Sequence, residues 1–506
     1  MEPKQFIEDP WKQTHKAYIE SFLHMRPAPE YASGEVLLAS LYRNVGLQVK
    51  EGSVPKNGRA LKNLLNGKSA DQSQNFPPEE FYEVISQSLS SPKVQNQSGK
   101  RFLQICPLVP DAAIYSLSAR LSSNSWNPGN LIASMLCYGL NEEDQILKVW
   151  QKIFASLSVT AEDDPWARTL QKQFESIRPP ELQEAWSKPT ALPHPNEKTF
   201  LKDVISATPA QQFVKDLQSA LEIKKFVTRR QWISIIEAIL RLGSAAHILW
   251  LCQANRICYD LLFQSLETGK TIKVEDFNSK LSAKLKIWRQ NQPVSSSIKQ
   301  LAQDYLEARA GICLLLYTYE NKFPGANISM RNPNEIINLT QDLAKIRNDF
   351  PFEEFNDNME KLQDQQSNAF ACKKGASKNI LEFISHILRR RETGERGMES
   401  YDQGYFLKRK SGVRSPWVVG FGPIAILTMV HCCTSGKKGA RTVGDLCNHL
   451  SNYGFSIDPQ EIADSDMGRI LRNLALVLDS PDAEGGMILI SPFKTPAVYE
   501  KSNYAN

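Results

Sequence analysis

Arg241 and His247 are the pair in this chain best suited to move a proton at a phosphodiester. They lie six residues apart in Arg241-Leu-Gly-Ser-Ala-Ala-His247. An arginine can hold the phosphate while a histidine acts as acid or base. The segment around them is very apolar, so a histidine buried in a helical core is the competing account. His431-Cys432-Cys433 and Cys447-Asn-His449 are two groups of metal-ligand type, thirteen residues apart. Neither has the Cys-x₂-Cys spacing that structural zinc prefers, and thiols packed in helices explain them without a metal. Glu267-Thr-Gly269-Lys270-Thr271 has the end of a phosphate-binding loop, but position 264 is Gln rather than Gly and no apolar strand precedes it. No ATP site is expected there. No HExxH and no GxSxG occurs. With no complete catalytic constellation, no cofactor and no metal are expected.

Charge is the more informative chemistry. From Leu388 to Arg441 eleven Lys/Arg stand against four Asp/Glu, whereas from Thr442 to Glu484 two arginines stand against eight acids. The whole chain carries only +5. The basic residues are Arg389, Arg390, Arg391, Arg396, Lys408, Arg409, Lys410, Arg414, Lys437, Lys438 and Arg441. They form a strip suited to the phosphates of a nucleic-acid backbone. Tyr401, Tyr405, Phe406 and Trp417 are interleaved with them, placed to stack on unpaired bases. The plainer alternative is a solvated loop following an arginine cluster at a helix C-terminus. Lys224-Lys225 and Arg229-Arg230 beside Trp232 are a second, smaller cluster that would extend the strip.

The elements that must position these groups are mostly helices. At 506 residues the chain is long enough for two to four domains. A first unit spans 1–190, with Phe102-Leu-Gln-Ile-Cys as its one good strand candidate. Five prolines between Arg178 and Glu197 mark its end. A second unit, 198–391, is strongly helical, with expected helices at Ile233–Leu242, Ala245–Glu267, Val274–Trp288, Ser296–Tyr319, Pro333–Asn348, Phe352–Gln366 and Lys378–Arg391. Residues 392–415 are polar and Gly-rich and read as a basic linker. The fold class expected is mainly α, a multi-domain helical protein. The nine cysteines, Cys106, Cys137, Cys252, Cys258, Cys313, Cys372, Cys432, Cys433 and Cys447, are odd in number and scattered. They predict reduced thiols and, with no apolar secretory segment at the N-terminus, a cytoplasmic location. The charge-free stretch Ser415–Gly436 has a continuous apolar part of only Ile424–Val430, too short for a bilayer, so no membrane span is expected.

The fourth unit, 416–506, carries a topological resemblance. Gly422-Pro423 opens an apolar helix, Thr442-Val-Gly-Asp445 has capping-box form before a second helix, and Asp466–Leu474 fits a third. Leu476-Val-Leu and Met487-Ile-Leu-Ile then fit a hairpin. Three helices followed by a hairpin resemble a winged-helix domain. In its Gly-Pro-apolar helix and its DLCNHLSNYGF run, the tail is similar to accessory subunits of bacterial DNA-restriction and antiphage-defence systems, including the accessory protein of phosphorothioate-dependent restriction. That similarity implies a non-catalytic subunit that helps an ATPase or nuclease engage DNA. Arg469, Arg472 and Asn473 would face outward from the third helix amid acids. Phosphate is repelled by such a face, which suits a protein partner better. Arg241 and His247 resemble the Arg-x₄₋₆-His element of helical nucleases of the HEPN class, which implies RNA cleavage as the alternative activity. A scaffold that touches no nucleic acid is the third possibility. The adaptor, bound to DNA more readily than to RNA, is the function expected.

Overall fold

The computed structural model describes residues 3–25, 32–47, 83–85, 105–115, 127–178, 186–191, 208–392, 400–478 and 487–493, together with Pro29 and Leu89 and without Asn141 and Lys438. Most of the Phe102–Cys106 strand candidate lies outside them, although Ile105 makes an isolated β-bridge position. So do Arg396, Lys438, Asp479, Asp482 and Glu484.

Local sequence explains where the helices start and stop. Helix α1 (Gly34–Val45) is followed by α2 (Pro128–Gly139), whose N-cap Asn127 accepts from the Gly129 amide. Helices α3 (Glu143–Leu157) and α4 (Pro165–Ser176) come next, the latter capped by Asp164. Helix α5 (Pro209–Glu222) opens on a reciprocal capping box between Thr208 and Gln211, and α6 (Arg229–Thr268) on one between Thr228 and Gln231. Each box satisfies backbone donors that the first turn leaves orphaned. Gly269, at φ +69°, ends α6 in the left-handed conformation that glycine adopts without penalty.

Two expected helices, at Ile233–Leu242 and Ala245–Glu267, are therefore one helix of 40 residues, about 60 Å long. Gly243 does not break it. A Cβ at that position would lie 2.3 Å from Cδ2 of Phe213 on α5, so glycine is there to let α5 approach. After α6 come α7 (Val274–Leu281), α8 (Ser295–Lys322), α9 (Pro333–Ile346), α10 (Phe352–Gln365) and α11 (Gly375–Leu388). Helix α7 is shorter than its expected span to Trp288, because Trp288–Arg289 leave it to form strand β1.

Helix α6 is the organising element. It packs against α8, α9, α5, α1 and α11, and against α12 (Pro423–Thr434) near the C-terminus. Among the described helices α6 is the one long and apolar enough to cross a membrane, and its apolar window is 94% buried within the fold. Trp232, His247 and Trp250 on α6 all face packed neighbours. The hydrophobic core is continuous from Phe6 to Leu489, so the expected limits at 391 and 415 do not divide it.

The segment read as a linker is not a free loop. Asp402, Tyr405, Phe406 and Leu407 are buried, and Leu407–Arg409 form strand β2. Its antiparallel partner is β3 (Trp417–Val419), in the register Leu407↔Val419, Lys408↔Val418, Arg409↔Trp417. Arg389–Arg391, expected to finish a helix, leave it in extended conformation. Arg390 N donates to Leu407 O at 2.7 Å and Phe406 N to Leu388 O at 2.9 Å, so the chain runs alongside β2.

Beyond α12 the chain forms β4 (Arg441–Thr442), α13 (Val443–Ser451), β5 (Phe455–Ser456), α14 (Asp466–Asn473), β6 (Val477–Leu478) and β7 (Ile488–Leu489). The capping box at Thr442 and Asp445 is present, and β7 pairs antiparallel with both β4 and β6. Strand β5 pairs in parallel with β1, which ties the tail to the segment after α7. Gly454, at φ +96°, makes the turn that presents its carbonyl to the amides of Ile287 and Trp288.

Candidate nucleic-acid interface

The structure sorts the basic residues into two groups, one inside and one outside. The inner group is a knot of ions where three stretches of sequence meet. Arg241, on α6, is buried and donates both terminal nitrogens to Asp402, at 2.8 and 3.2 Å. The same guanidinium donates to the carbonyls of Ile387 and Arg389. Arg391 donates to Glu35 on α1 and, at 3.2 Å, to Glu237 on α6. Its backbone amide donates to Asp402 at 2.9 Å. Tyr401 donates to Glu35 at 3.3 Å, and its ring lies under Arg230 and Arg391. A cleft of about 240 Å³ opens on this knot, with Arg230, Glu237, Arg241, Tyr401 and Asp402 in its wall.

The charges there are set by the balance of burial and partners. Burial pushes the Asp402 carboxyl up, but Arg241 and Arg391 outweigh it and hold the group below its usual range. Burial and the neighbouring Glu35 push Glu237 up to about 7, against the opposing pull of Arg391 and Arg241. Arg241 and Arg391, two positions expected to meet phosphate, are thus engaged by carboxylates of the fold, with side chains only 2% and 9% exposed.

Arg241 and His247 do not converge. Six residues turn an α-helix through about 240°. Arg241 points to Asp402, whereas His247 packs edge-on to Tyr138 at 4.9 Å and parallel to Trp250 at 5.9 Å. His247 is buried, with neither ring nitrogen hydrogen-bonded, and burial depresses its pKa to about 3. A neutral ring sealed among aromatics has no path to a phosphodiester, which removes the nuclease pair as a site.

The outer group is the β2–β3 hairpin. Its turn is closed by Lys410 N to Pro416 O at 3.1 Å and by Ser411 N to Ser415 Oγ at 2.9 Å. Lys410 and Arg414 are exposed on either side of Val413, which is 75% exposed. Among the described residues no ion pair involves Lys410 or Arg414. At the base of the hairpin, Arg409 pairs with Glu392 at 3.3 Å, and Lys408 pairs with Asp466 at the start of α14. Lys437, in the turn after α12, is also exposed, while Arg441 pairs with Asp445 at 3.3 Å.

The interleaved aromatics are not a stacking platform. Phe406 is fully buried, and Tyr405 is 9% exposed with Arg390 over its ring at 5.6 Å. Trp417 is engaged by Arg389 at 5.0 Å and Arg409 at 4.5 Å. These cation–π contacts stiffen the root of the hairpin and leave no ring free for a base. Lys224 and Arg229, from the smaller basic cluster, pair with Asp163, and Arg229 is buried.

On α14, Arg469 is exposed and pairs with Asp466 at 2.8 Å, Arg472 donates to Ala463 O at 2.7 Å, and Asn473 is exposed. The basic strip and the acidic tail, expected as separate surfaces, therefore touch through Lys408 and Asp466.

The residues of metal-ligand type serve another purpose. Asp216 on α5 accepts from His449 Nε2 at 2.9 Å, Tyr453 Oη at 2.7 Å and Gln212 at 2.7 Å. His431 faces Ser219 O at 3.3 Å and Cys432 donates to Asp216 O. This polar clasp fixes α12 and α13 onto α5. All nine cysteines are free thiols, and among the described residues no three His, Cys, Asp or Glu gather as metal ligands.

Glu35, Asp402 and Asp216 had no signal of their own in the sequence. The recurrence of Tyr401, Tyr405 and Phe406 in a supposed linker was the one cue that the segment is packed. Comparison with protein-family models, with curated proteins and with solved structures found no match to this chain.

Proposed function

We propose that the protein is a non-catalytic adaptor that holds a nucleic-acid backbone through the β2–β3 hairpin and a protein partner through its C-terminal tail. The observation that carries this reading is the exposed hairpin tip, where, among the described residues, no acid pairs with Lys410 or Arg414 on either side of Val413. Unneutralised cations on a projecting, rigidly rooted element suit phosphate, and each phosphate contact releases counterions. Lys437 lies in the basic turn after α12 and adds a further exposed cation to the same charged region of sequence.

The hairpin offers charge without aromatic stacking and without an array of base-reading amides. Contact of that kind positions a backbone and carries no sequence information. DNA is favoured over RNA by the resemblance of the tail to accessory subunits of DNA-restriction and antiphage-defence systems, where a helix–strand–helix–helix–hairpin order reads as a winged helix. The partner in that setting is an ATPase or nuclease subunit. Arg469 and Asn473, exposed on α14 beside Asp464 and Asp466, form the mixed face this reading assigns to it.

Retention of a DNA duplex of about two helical turns, titrated with salt, tests the reading. The protein binds at low salt, and a Lys410→Glu, Arg414→Glu variant loses most of that affinity while melting at an unchanged temperature. Binding that is unaltered by the two reversals rules out the hairpin.

A further inference from the structure

We infer that Asp466 is a built-in competitor for backbone phosphate, holding Lys408 in a closed position from which a nucleic acid must displace it. This rests on the hairpin being the phosphate-binding element. The observations that carry it are geometric. Among the described residues the tip cations Lys410 and Arg414 pair with no acid, whereas both basic residues at the hairpin base do: Lys408 is held by Asp466 and Arg409 by Glu392. The lysine is steered to that contact. Its stem lies across Gly420, where a Cβ would come within 2.4 Å of Lys408 Cγ, so only glycine leaves the path open. Asp466 also receives Arg469, at 2.8 Å on the opposite carboxylate oxygen. One carboxylate thus bridges a cation of the hairpin and a cation of α14, in the manner of a phosphate between two basic groups.

Both members of the pair are accessible: the Lys408 side chain is 29% exposed and that of Asp466 50%. A surface pair of that exposure is weak enough for a polyanion to break. A backbone that meets Lys410 and Arg414 first then exchanges one anion for another at Lys408. The exchange leaves Asp466 without its hairpin partner and frees the start of α14 from the hairpin, so occupancy of the hairpin and the state of the tail are linked by a single contact.

The test is a double-mutant cycle read by fluorescence anisotropy of a labelled duplex DNA on the full chain. Asp466→Asn removes the competitor and keeps the side-chain shape. The expected result is several-fold tighter binding at low salt and a log-affinity against log-salt slope steeper by about one, as for one additional phosphate contact. Asp464→Asn makes the same change in net charge at an exposed acid that has no contact with the hairpin, and should give a clearly smaller gain. In a Lys408→Gln background the gain from Asp466→Asn should shrink to the level of Asp464→Asn. Equal effects of Asp466→Asn and Asp464→Asn in the parent, or a gain from Asp466→Asn that is undiminished in Lys408→Gln, overturn the competitor. Failure of the hairpin itself is separately visible, as binding that ignores charge reversal of Lys410 and Arg414.

Discussion

Arg241 shows how a residue with the right chemistry can be committed to structure. Its guanidinium donates four hydrogen bonds, two to Asp402 and two to backbone carbonyls, in a site where its side chain is 2% exposed. Removing one member of such a pair leaves an uncompensated buried charge, at a cost of about 3–5 kcal/mol. Arg241→Ala is therefore expected to lower the urea midpoint strongly and to leave the affinity of any remaining folded protein for DNA unchanged. Two neighbouring groups make stability depend on pH in opposite directions. His247 binds a proton in the unfolded chain near 6.5 and in the fold only near 3. Between those values the unfolded state holds more protons, so the contribution of His247 to stability is complete above 6.5 and is lost as pH falls. Glu237 is raised from 4.5 to about 7. In that window the folded state holds more protons, so its contribution weakens as pH rises. Denaturation midpoints between pH 4.5 and 6.5 should fall more steeply toward acid in Glu237→Gln than in the parent, and should flatten or reverse in His247→Phe. Parallel shifts in both variants would contradict the assignment of these two groups.

At the scale of the element, what was legible in the sequence was periodicity and caps. The positions of α8, α9 and α10, the Thr442–Asp445 box and the tail hairpin follow from spacing that needs no tertiary information. What was not legible depended on contacts distant in sequence. Gly243 looks like a helix stop in Leu-Gly-Ser, yet it is a contact point for Phe213, thirty positions away. Residues 400–409 look like a linker because the partners of Tyr401 and Asp402, Glu35 on α1 and Arg241 on α6, are distant in sequence. Arg391 looks exposed because Glu35, which neutralises it, lies near the other end of the chain. The expected effect of Gly243→Ala separates local from tertiary preference. Helix propensity alone makes alanine better by about 1 kcal/mol. The contact with Phe213 makes it worse, and overpacking of this kind costs about 1–3 kcal/mol. The net expectation is a lower thermal midpoint, recovered in part when Phe213→Leu is added. A midpoint raised by Gly243→Ala would mean that α5 and α6 are not packed as described.

At the scale of the whole molecule, charge is separated into an ion-paired knot at the wall of a cleft and an open prong. Arg241 and Arg391 hold α1, α6 and the 400–404 segment together, while Asp216 seats α12 and α13 on α5. The hairpin rises from this framework on Arg389, Trp417 and Arg409. Reversing charge in the knot should unfold the chain, whereas reversing it at the tip should leave the fold intact and change only binding. The isolated chain is also expected to cleave neither ATP nor nucleic acid, since Arg241 and His247, the pair with nuclease-like spacing, are split between two buried settings. The most direct test of the central claim is the salt dependence of duplex DNA binding by the parent protein and by Lys410→Glu, Arg414→Glu, with circular dichroism to confirm equal folding. The account predicts that the parent shows a linear fall of log affinity with log salt and that the variant loses about two units of that slope, one for each phosphate contact removed. A parent that retains no DNA at low salt, or a variant with the same slope as the parent, would contradict it.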